Sequence, residues 1–407
     1  MTDARPVLSA RAQRLTPSAT MAISQRAREL EAEGVDVLSF SLGEPDFDPP
    51  EHVLEAVRGR LGDPAMHHYT AVGGIPELKE AIADDSARRR GGHRHDHKEI
   101  VVSVGAKHSL FNASMAVFDP GSTVVIPAPY WVSYPSQVRL MGAEPTIVPT
   151  TAEAGFRLAP GQLAEAMTSS TRAVVLCSPS NPTGSAYGRD DLEALADVLR
   201  KRPDVWVIVD EIYARLVYGD FEQVSLLEVA PDLRERLVIV DGVSKTFAMT
   251  GWRIGWMLAP APVAAACTKL QGQATTNPTA VAQVAAAAAL SGPQEPVEAM
   301  RRAFAERREL MVAGLDALPG LTCRMPEGAF YAFPSVDGLI GMKTPAGGLL
   351  EDDMAVAAYF LDEARCAVVP GSAFGAPGFL RISYAAAPDT LKEGLRRLEG
   401  AIGRLSP

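Results

Sequence analysis

Lys245 stands in the run Asp241-Gly242-Val243-Ser244-Lys245-Thr246-Phe247-Ala248-Met249-Thr250-Gly251-Trp252-Arg253, directly after the apolar segment Leu237-Val238-Ile239-Val240. Lysines are scarce in this chain, and this one sits in a loop of small residues at the end of a strand-like run. A partly buried lysine loses its proton more easily, and the neutral amine is a nucleophile. With Arg253 downstream, such an amine suits covalent attachment of a phosphorylated aldehyde. A solvated or salt-bridged loop lysine is the plainer alternative.

Other residues could complete that chemistry. Asp210 ends the apolar run Val205-Trp206-Val207-Ile208-Val209. A carboxylate at the end of a buried strand needs a partner, and a protonated ring nitrogen would serve and stay electron-withdrawing. A helix N-cap is the alternative role. Tyr213, three residues on, is placed to donate to a ring hydroxyl, and Asn181 offers an amide to the same oxygen, unless it is only a turn residue before Pro182. Gly105-Ala106-Lys107 joins a strand to a helix, and small residues there leave backbone N–H groups open to a phosphate. Arg253 could close on that phosphate as a bidentate clamp. Trp131 could stack on a flat ring or serve as a core aromatic. Arg381, inside an apolar strand, requires an anion, either a substrate carboxylate or an internal partner.

These residues need a scaffold that gathers strand ends. Apolar strand-like runs at 100–104, 123–126, 173–177, 205–209, 237–240 and 253–259 alternate with helical patterns at 107–117, 133–141, 190–201 and 263–290. That alternation predicts an α/β fold with a mostly parallel sheet, whose ligands bind beyond the carboxyl ends of the strands. Past about residue 293 the pattern changes. A charged helix over 295–318 carries Arg301, Arg302, Arg307 and Arg308 on solvated faces. Then come a strand over 328–333, a long mobile Gly-rich loop over 335–351, a helix over 353–364, a strand over 379–384 and a final helix over 389–404. The expected organisation is a large cofactor-binding domain over 46–293 and a smaller α+β domain over 294–407, with 1–45 packing on the smaller one.

The 407 residues carry a net charge of −10, which speaks against nucleic acid as a partner. The four cysteines form no C-x-x-C pair and are expected as buried free thiols in a reducing compartment. No apolar stretch is long enough to span a membrane, and the N-terminal residues lack a signal peptide's apolar core. His93-Arg94-His95-Asp96-His97 invites a metal reading, but its basic, glycine-containing flank favours a solvated loop. No metal site is expected. No Walker loop, G-x-S-x-G or dinucleotide fingerprint is present.

Taken in register, the motifs resemble those of the class I aminotransferases of the pyridoxal-phosphate-dependent fold type I, and within them the bacterial aspartate/prephenate aminotransferase group. The landmarks are Gly43-Glu44-Pro45-Asp46-Phe47, Tyr69 with Gly73-Gly74-Ile75-Pro76, Pro129 to Tyr134, Asn181-Pro182-Thr183-Gly184, Asp210 to Tyr213, Ser244-Lys245 through Arg253, and Arg381-Ile382-Ser383-Tyr384. The resemblance covers nearly the whole chain and implies a seven-stranded large-domain sheet. It implies Lys245 as the covalent attachment point of pyridoxal 5'-phosphate and Asp210 as partner of the ring nitrogen. Tyr213 and Asn181 would hold the ring hydroxyl, and Trp131 would stack. Arg253 with Gly105, Ala106 and Lys107 would take the phosphate. Tyr69 would reach the phosphate of a neighbouring subunit, implying a homodimer with shared sites. Arg381, with Gly43, would hold the substrate α-carboxylate. Lys107, Ser18 and Thr20 would receive a distal carboxylate, which favours aspartate, glutamate or prephenate with a 2-oxo acid as acceptor, in the cytoplasm. Other reactions on the same cofactor (lyase, decarboxylase, oxidase) and a non-dicarboxylic substrate are the alternatives, since fold does not decide which bond breaks. The 91–95 basic loop and Gly375-Ala376-Pro377-Gly378 depart from the group pattern.

Overall fold

A computed structural model describes residues 8–13, 15 and 19–407 of the chain. Twelve strands are present among them: β1 (Leu38–Ser39), β2 (Ile100–Val104), β3 (Thr123–Ala128), β4 (Glu144–Pro149), β5 (Thr171–Cys177), β6 (Trp206–Asp210), β7 (Leu237–Gly242), β8 (Ile254–Leu258), β9 (Tyr331–Ala332), β10 (Cys366–Ala367), β11 (Val369–Pro370) and β12 (Leu380–Ser383).

Seven of them form one sheet in the order β2-β8-β7-β6-β5-β3-β4. All neighbours pair in parallel except β8, which runs antiparallel to both β2 and β7. Val, Ile and Leu fill these strands because helices cover both faces, so neither side can be polar. One cluster, around Val102, Val174, Val207 and Ile239, lies on one face; another, around Val101, Val124, Ile208 and Val240, lies on the other. The alternation of neighbouring residues between these clusters is the two-residue period of a strand. Helix Arg189–Arg200 shows the matching helical period, burying Leu192, Leu195, Ala196 and Leu199.

The antiparallel β8 has a consequence for the site. Its first residue, Ile254, pairs with the last residue of β2, Val104. Arg253, just before β8, therefore arrives at the same sheet edge as the carboxyl ends of the parallel strands.

The segment around β1 and the C-terminal strands meet outside the large sheet. β1 pairs in parallel with β10, and β11-β12-β9 make a short antiparallel sheet. Arg381 lies on β12, opposite Val369 of β11. The backbone N–H of Ser383 donates to the carbonyl of Phe40 at 2.9 Å, tying β12 to the segment that leads to Gly43.

Several elements differ from the periodicity reading. The single helix expected over 263–290 is two, Ala261–Ala274 and Ala280–Ser291, interrupted before Pro278, which lacks an N–H and disfavours helix in the residue before it. β4 was not anticipated; its prolines at both ends mask a strand that lies at the sheet edge, where proline is tolerated. The strand expected over 328–333 shrinks to Tyr331–Ala332. Arg308 is buried rather than solvated, with its guanidinium over the Tyr218 ring at 5.1 Å, and Arg307 lies over Phe47 and pairs with Asp46 at 2.6 Å. The 335–351 segment is irregular but anchored: Val336, Leu339 and Leu350 are buried, and Lys343 bridges to Leu349 and Ser406. In the 93–97 segment His95 is buried against Ser86, with Nδ1 to Oγ at 3.1 Å, and burial lowers its pKa to about 3. No group of His, Cys, Asp or Glu among the described residues is arranged to hold a metal ion. The cysteines are free, three of them buried and Cys177 half-buried. No helix among the described residues is long and apolar enough to cross a membrane.

Candidate active site

A cavity of about 410 Å³ opens at the carboxyl edge of the large sheet. Its lining comes from loops far apart in sequence: Gly43, Ala106 and Lys107, Trp131, Asn181, Asp210 and Tyr213, Lys245, Arg253 and Arg381. The strand order explains the meeting, since successive parallel strands end at one edge and the segments after them converge.

Lys245 lies in the short helix Val243–Thr246 that follows β7. Its amine donates to the carbonyl of Gly43 at 2.6 Å. Burial is the main cause that lowers its pKa, to about 8, with Arg253 and Arg381 pushing the same way and Glu44 and Asp210 opposing. At that value roughly a tenth of the amine is unprotonated at pH 7, far more than for an ordinary lysine, and the neutral form is what a nucleophile or proton acceptor requires. Gly43 leaves room for a neighbour of this pair: a Cβ there would sit 2.8 Å from the Tyr331 hydroxyl.

Asp210 is buried at the end of β6. Tyr134 donates to its Oδ2 at 2.8 Å, and the N–H of Ile212 donates to its Oδ1 at 3.1 Å. Burial outweighs both bonds and raises its pKa to about 6, with Asp241 and Glu211 adding to the rise. A carboxylate in that state is stabilised by a cation arriving in the cavity.

The anion-binding end is built from Gly105, helix Ala106–Val117 and Arg253. Gly105 precedes the helix with φ of +82° and no side chain caps the helix N-terminus. A Cβ on Gly105 would lie 2.6 Å from Nη2 of Arg253. The glycine therefore serves two needs, a left-handed backbone and room for the guanidinium. Arg253 is itself left-handed, with φ of +57°, and donates to the carbonyl of Thr250 at 2.8 Å. Gly105 lies behind this arginine rather than on the cavity wall.

Arg381 is buried on β12. It donates from Nη1 to Asn181 Oδ1 at 3.0 Å and from Nη2 to the carbonyl of Ser41 at 2.6 Å, while Nε has no hydrogen-bond partner. Its guanidinium lies over the rings of Tyr331 and Phe374 at 4.6 and 5.1 Å. No carboxylate among the described residues pairs with it, so a buried cation lines the cavity. Asn181, read in sequence as a ring-hydroxyl donor, thus also orients Arg381, and its amide NH₂ donates to no partner among the described residues. The Tyr213 hydroxyl shares a hydrogen bond of 2.8 Å with Tyr331.

Lys107 stands 4.8 Å above the Trp131 ring, and burial followed by the charge of Arg253 lowers its pKa. Tyr69 is 89% exposed and lies apart from this cavity. Ser18 lies outside the described residues, as does the side chain of Thr20; the Thr20 backbone belongs to helix Ala19–Ala32.

Sequence reasoning missed several lining residues. Tyr134, Tyr331, Cys177 and Arg28 also face the cavity. Tyr134 lies in the first turn of helix Ser133–Leu140, and its separation from Asp210 by 76 positions hides the bond between them. Tyr331 follows the buried Phe330 and reads as core.

Comparison with known proteins adds to this geometry. A family model described as "Aminotransferase class I and II" matches residues 35–398. The chain is 44% identical over 393 residues to the aspartate/prephenate aminotransferase of Cereibacter sphaeroides, covering 97% of this chain and 98% of that one. It is also 44% identical to the aspartate aminotransferase of Geobacillus stearothermophilus, over 96% of this chain and 98% of the relative. The crystal structure of the aspartate aminotransferase from Rhizobium meliloti superposes with a TM-score of 0.96 at 43% identity, covering 99% and 100% of the two chains. The Thermus thermophilus enzyme with maleate gives 0.90 at 40% identity, covering 98% and 100%.

Proposed function

The chain belongs to the class I and II aminotransferase family, and on that premise we propose that it moves the amino group of a dicarboxylic L-amino acid, aspartate or glutamate with prephenate/arogenate as a further pair, to and from a 2-oxo acid using pyridoxal 5'-phosphate. The observation that carries the reading is the convergence of Lys245, Asp210, Arg253 and Arg381 on one cavity. When bound, the cofactor supplies an electron sink that weakens the bonds at the substrate Cα.

The residues present fit that group. The uncapped helix N-terminus beside Gly105, with Arg253 against it, suits a phosphate. The buried carboxylate of Asp210, with its raised pKa, suits a protonated ring nitrogen. Tyr213, Asn181 and Trp131 line the same cavity; the first two would hold a ring hydroxyl, and Trp131 would offer a flat apolar face to the ring. Lys245 would hold the aldehyde carbon.

Toward the substrate, Arg381 would bind the α-carboxylate, because its Nε is buried without a partner and a planar guanidinium matches a carboxylate. The freed Lys245 amine would take the proton from Cα and later return one; positioned acid–base transfer of this kind is worth roughly 10²–10⁴-fold in rate. Lys107 offers a cation for a second carboxylate, with Ser18 and Thr20 proposed alongside it. The dicarboxylic preference is supported by relatives named as aspartate and aspartate/prephenate aminotransferases. The exposed ring of Tyr69 supports a homodimer in which it serves the neighbouring site.

The test is a half-reaction. Purified protein carrying the cofactor is mixed with aspartate or glutamate and no oxo acid, and its visible absorbance is followed. Loss of the band with conversion to the pyridoxamine form is expected, and Lys245→Ala should abolish turnover. Loss of carbon dioxide or ammonia without that conversion would overturn transamination, and an unchanged band with both amino acids would overturn the dicarboxylic preference.

A further inference from the structure

Behind the cavity, on the far side of β6 and β7, lies a buried ionic cluster. Asp210 and Glu211 are consecutive, and their side chains go opposite ways: Asp210 toward Tyr134, Glu211 toward Arg90. Arg90 follows helix Pro76–Arg89 and is 1% exposed. Its Nε donates to Glu211 Oε2 at 2.9 Å and its Nη2 to Asp241 Oδ2 at 2.9 Å. Asp241 belongs to β7, four residues before Lys245, and its other oxygen accepts from the N–H of Gly242 at 2.8 Å. One guanidinium therefore joins the strand end that carries Asp210 to the strand end that carries Lys245.

We propose that Arg90 is a positioning residue for Asp210 and Lys245, holding the ends of β6 and β7 together and offsetting the two carboxylates that stand behind Asp210. The inference rests on the reading of the cavity as a cofactor site.

The charges around the pair decide its direction. On the cavity side Asp210 meets Tyr134, Cys177 and the Lys245 amine; on the other it meets Glu211 and Asp241. Lys245 meets Glu44, Arg253 and Arg381 besides. Around Arg90, Arg89 donates to Asp241 at 2.5 Å, and Asp85 pairs with Arg89 and Arg215. Ser225 donates to the second oxygen of Glu211 at 2.6 Å. Asp85, Glu211 and Asp241 are each at most 2% exposed, so water does little to screen them. Without Arg90, Glu211 and Asp241 would press negative potential on the cavity and raise every proton affinity there.

The experiment is a pH titration of the visible absorbance of the cofactor-loaded protein, in the parent, Glu211→Gln and Arg90→Gln. Glu211→Gln keeps the shape and removes a negative charge, so the midpoint should fall. Arg90→Gln removes the offsetting cation, so it should rise. Each shift is expected at about 1 pH unit, with kcat falling by a larger factor than KM rises. Midpoints that stay with the parent, or move the same way in both variants, would reduce Arg90 to a structural role and overturn the proposal. If Arg90→Gln does not fold, Arg90→Lys replaces it. The lysine keeps the charge but cannot bridge both carboxylates, so a smaller rise supports the proposal and no rise overturns it. A parent protein with no titrating band would instead defeat the cofactor reading itself.

Discussion

Tyr134 donates its phenolic hydrogen to Oδ2 of Asp210 at 2.8 Å, from a helix at the end of β3 to the end of β6. This bond lowers the pKa of Asp210, while burial raises it more, to about 6. In Tyr134→Phe the carboxylate loses that donor and its pKa rises further. The acid limb of the kcat profile is expected to move to higher pH, with kcat at pH 7 down by about tenfold, the size of one hydrogen bond to a charged group. Steady-state rates from pH 5 to 9 check it; an unshifted limb would show that the bond does not tune Asp210.

The same carboxylate makes the cofactor-free protein pH-sensitive. Its folded pKa, about 6, lies above the ordinary value of 3.8. The folded state then binds more protons than the unfolded state between those values, so stability from this group falls as pH rises from about 4 to about 6. Cofactor-free Asp210→Asn should melt above the parent at pH 7, and the difference should vanish below about pH 4. Thermal melts at both pH values decide it.

Lys245 titrates in the accessible range, at about 8 against an ordinary 10.5. Only the neutral amine attacks an aldehyde. The rate at which cofactor-free protein develops the visible band on mixing with pyridoxal 5'-phosphate should rise with pH and level off above about 8. A midpoint near 10 would mean the amine is not held in the buried setting described.

Gly105→Ala adds a methyl group where Nη2 of Arg253 lies within 2.6 Å and where φ is +82°. The guanidinium must move off the helix N-terminus. Cofactor affinity should fall by on the order of tenfold or more, while KM for the amino acid changes little. Equilibrium titration with pyridoxal 5'-phosphate measures the first and steady-state kinetics the second.

Arg381→Lys keeps a charge but loses the planar fork and the contacts with Asn181 and Ser41. KM for the amino acid should rise by roughly a hundredfold, from about 3 kcal/mol of lost charge-assisted bonding. Cofactor affinity should stay near that of the parent. Loss of both together would indicate a collapsed cavity instead.

Much of this protein was legible in residue order alone. Strands with two covered faces must be largely apolar, and the runs ending at Val104, Val209 and Val240 show it. Polar residues just past such runs, Asp210 and Lys245, pointed to a ligand, with a helix N-cap and a solvated lysine as the competing readings. Arg381 in an apolar strand carried the same message, because an unneutralised charge is costly to bury. Short-range signals of this kind survive without tertiary information.

What only the tertiary structure decided were pairings across large sequence separation and the direction of one strand. Nothing local to Tyr134 points to Asp210, nor Arg90 to Glu211 and Asp241, since side-chain partners are set by strand order rather than by spacing. The antiparallel course of β8 brings Arg253 beside Gly105, and its Ile-Gly-Trp-Met-Leu run reads the same in either direction. The break before Pro278 and the burial of Arg308 and His95 likewise depend on what packs against them. Chemistry was written in residue types; the distances that let those residues act together came from the packing of the sheet.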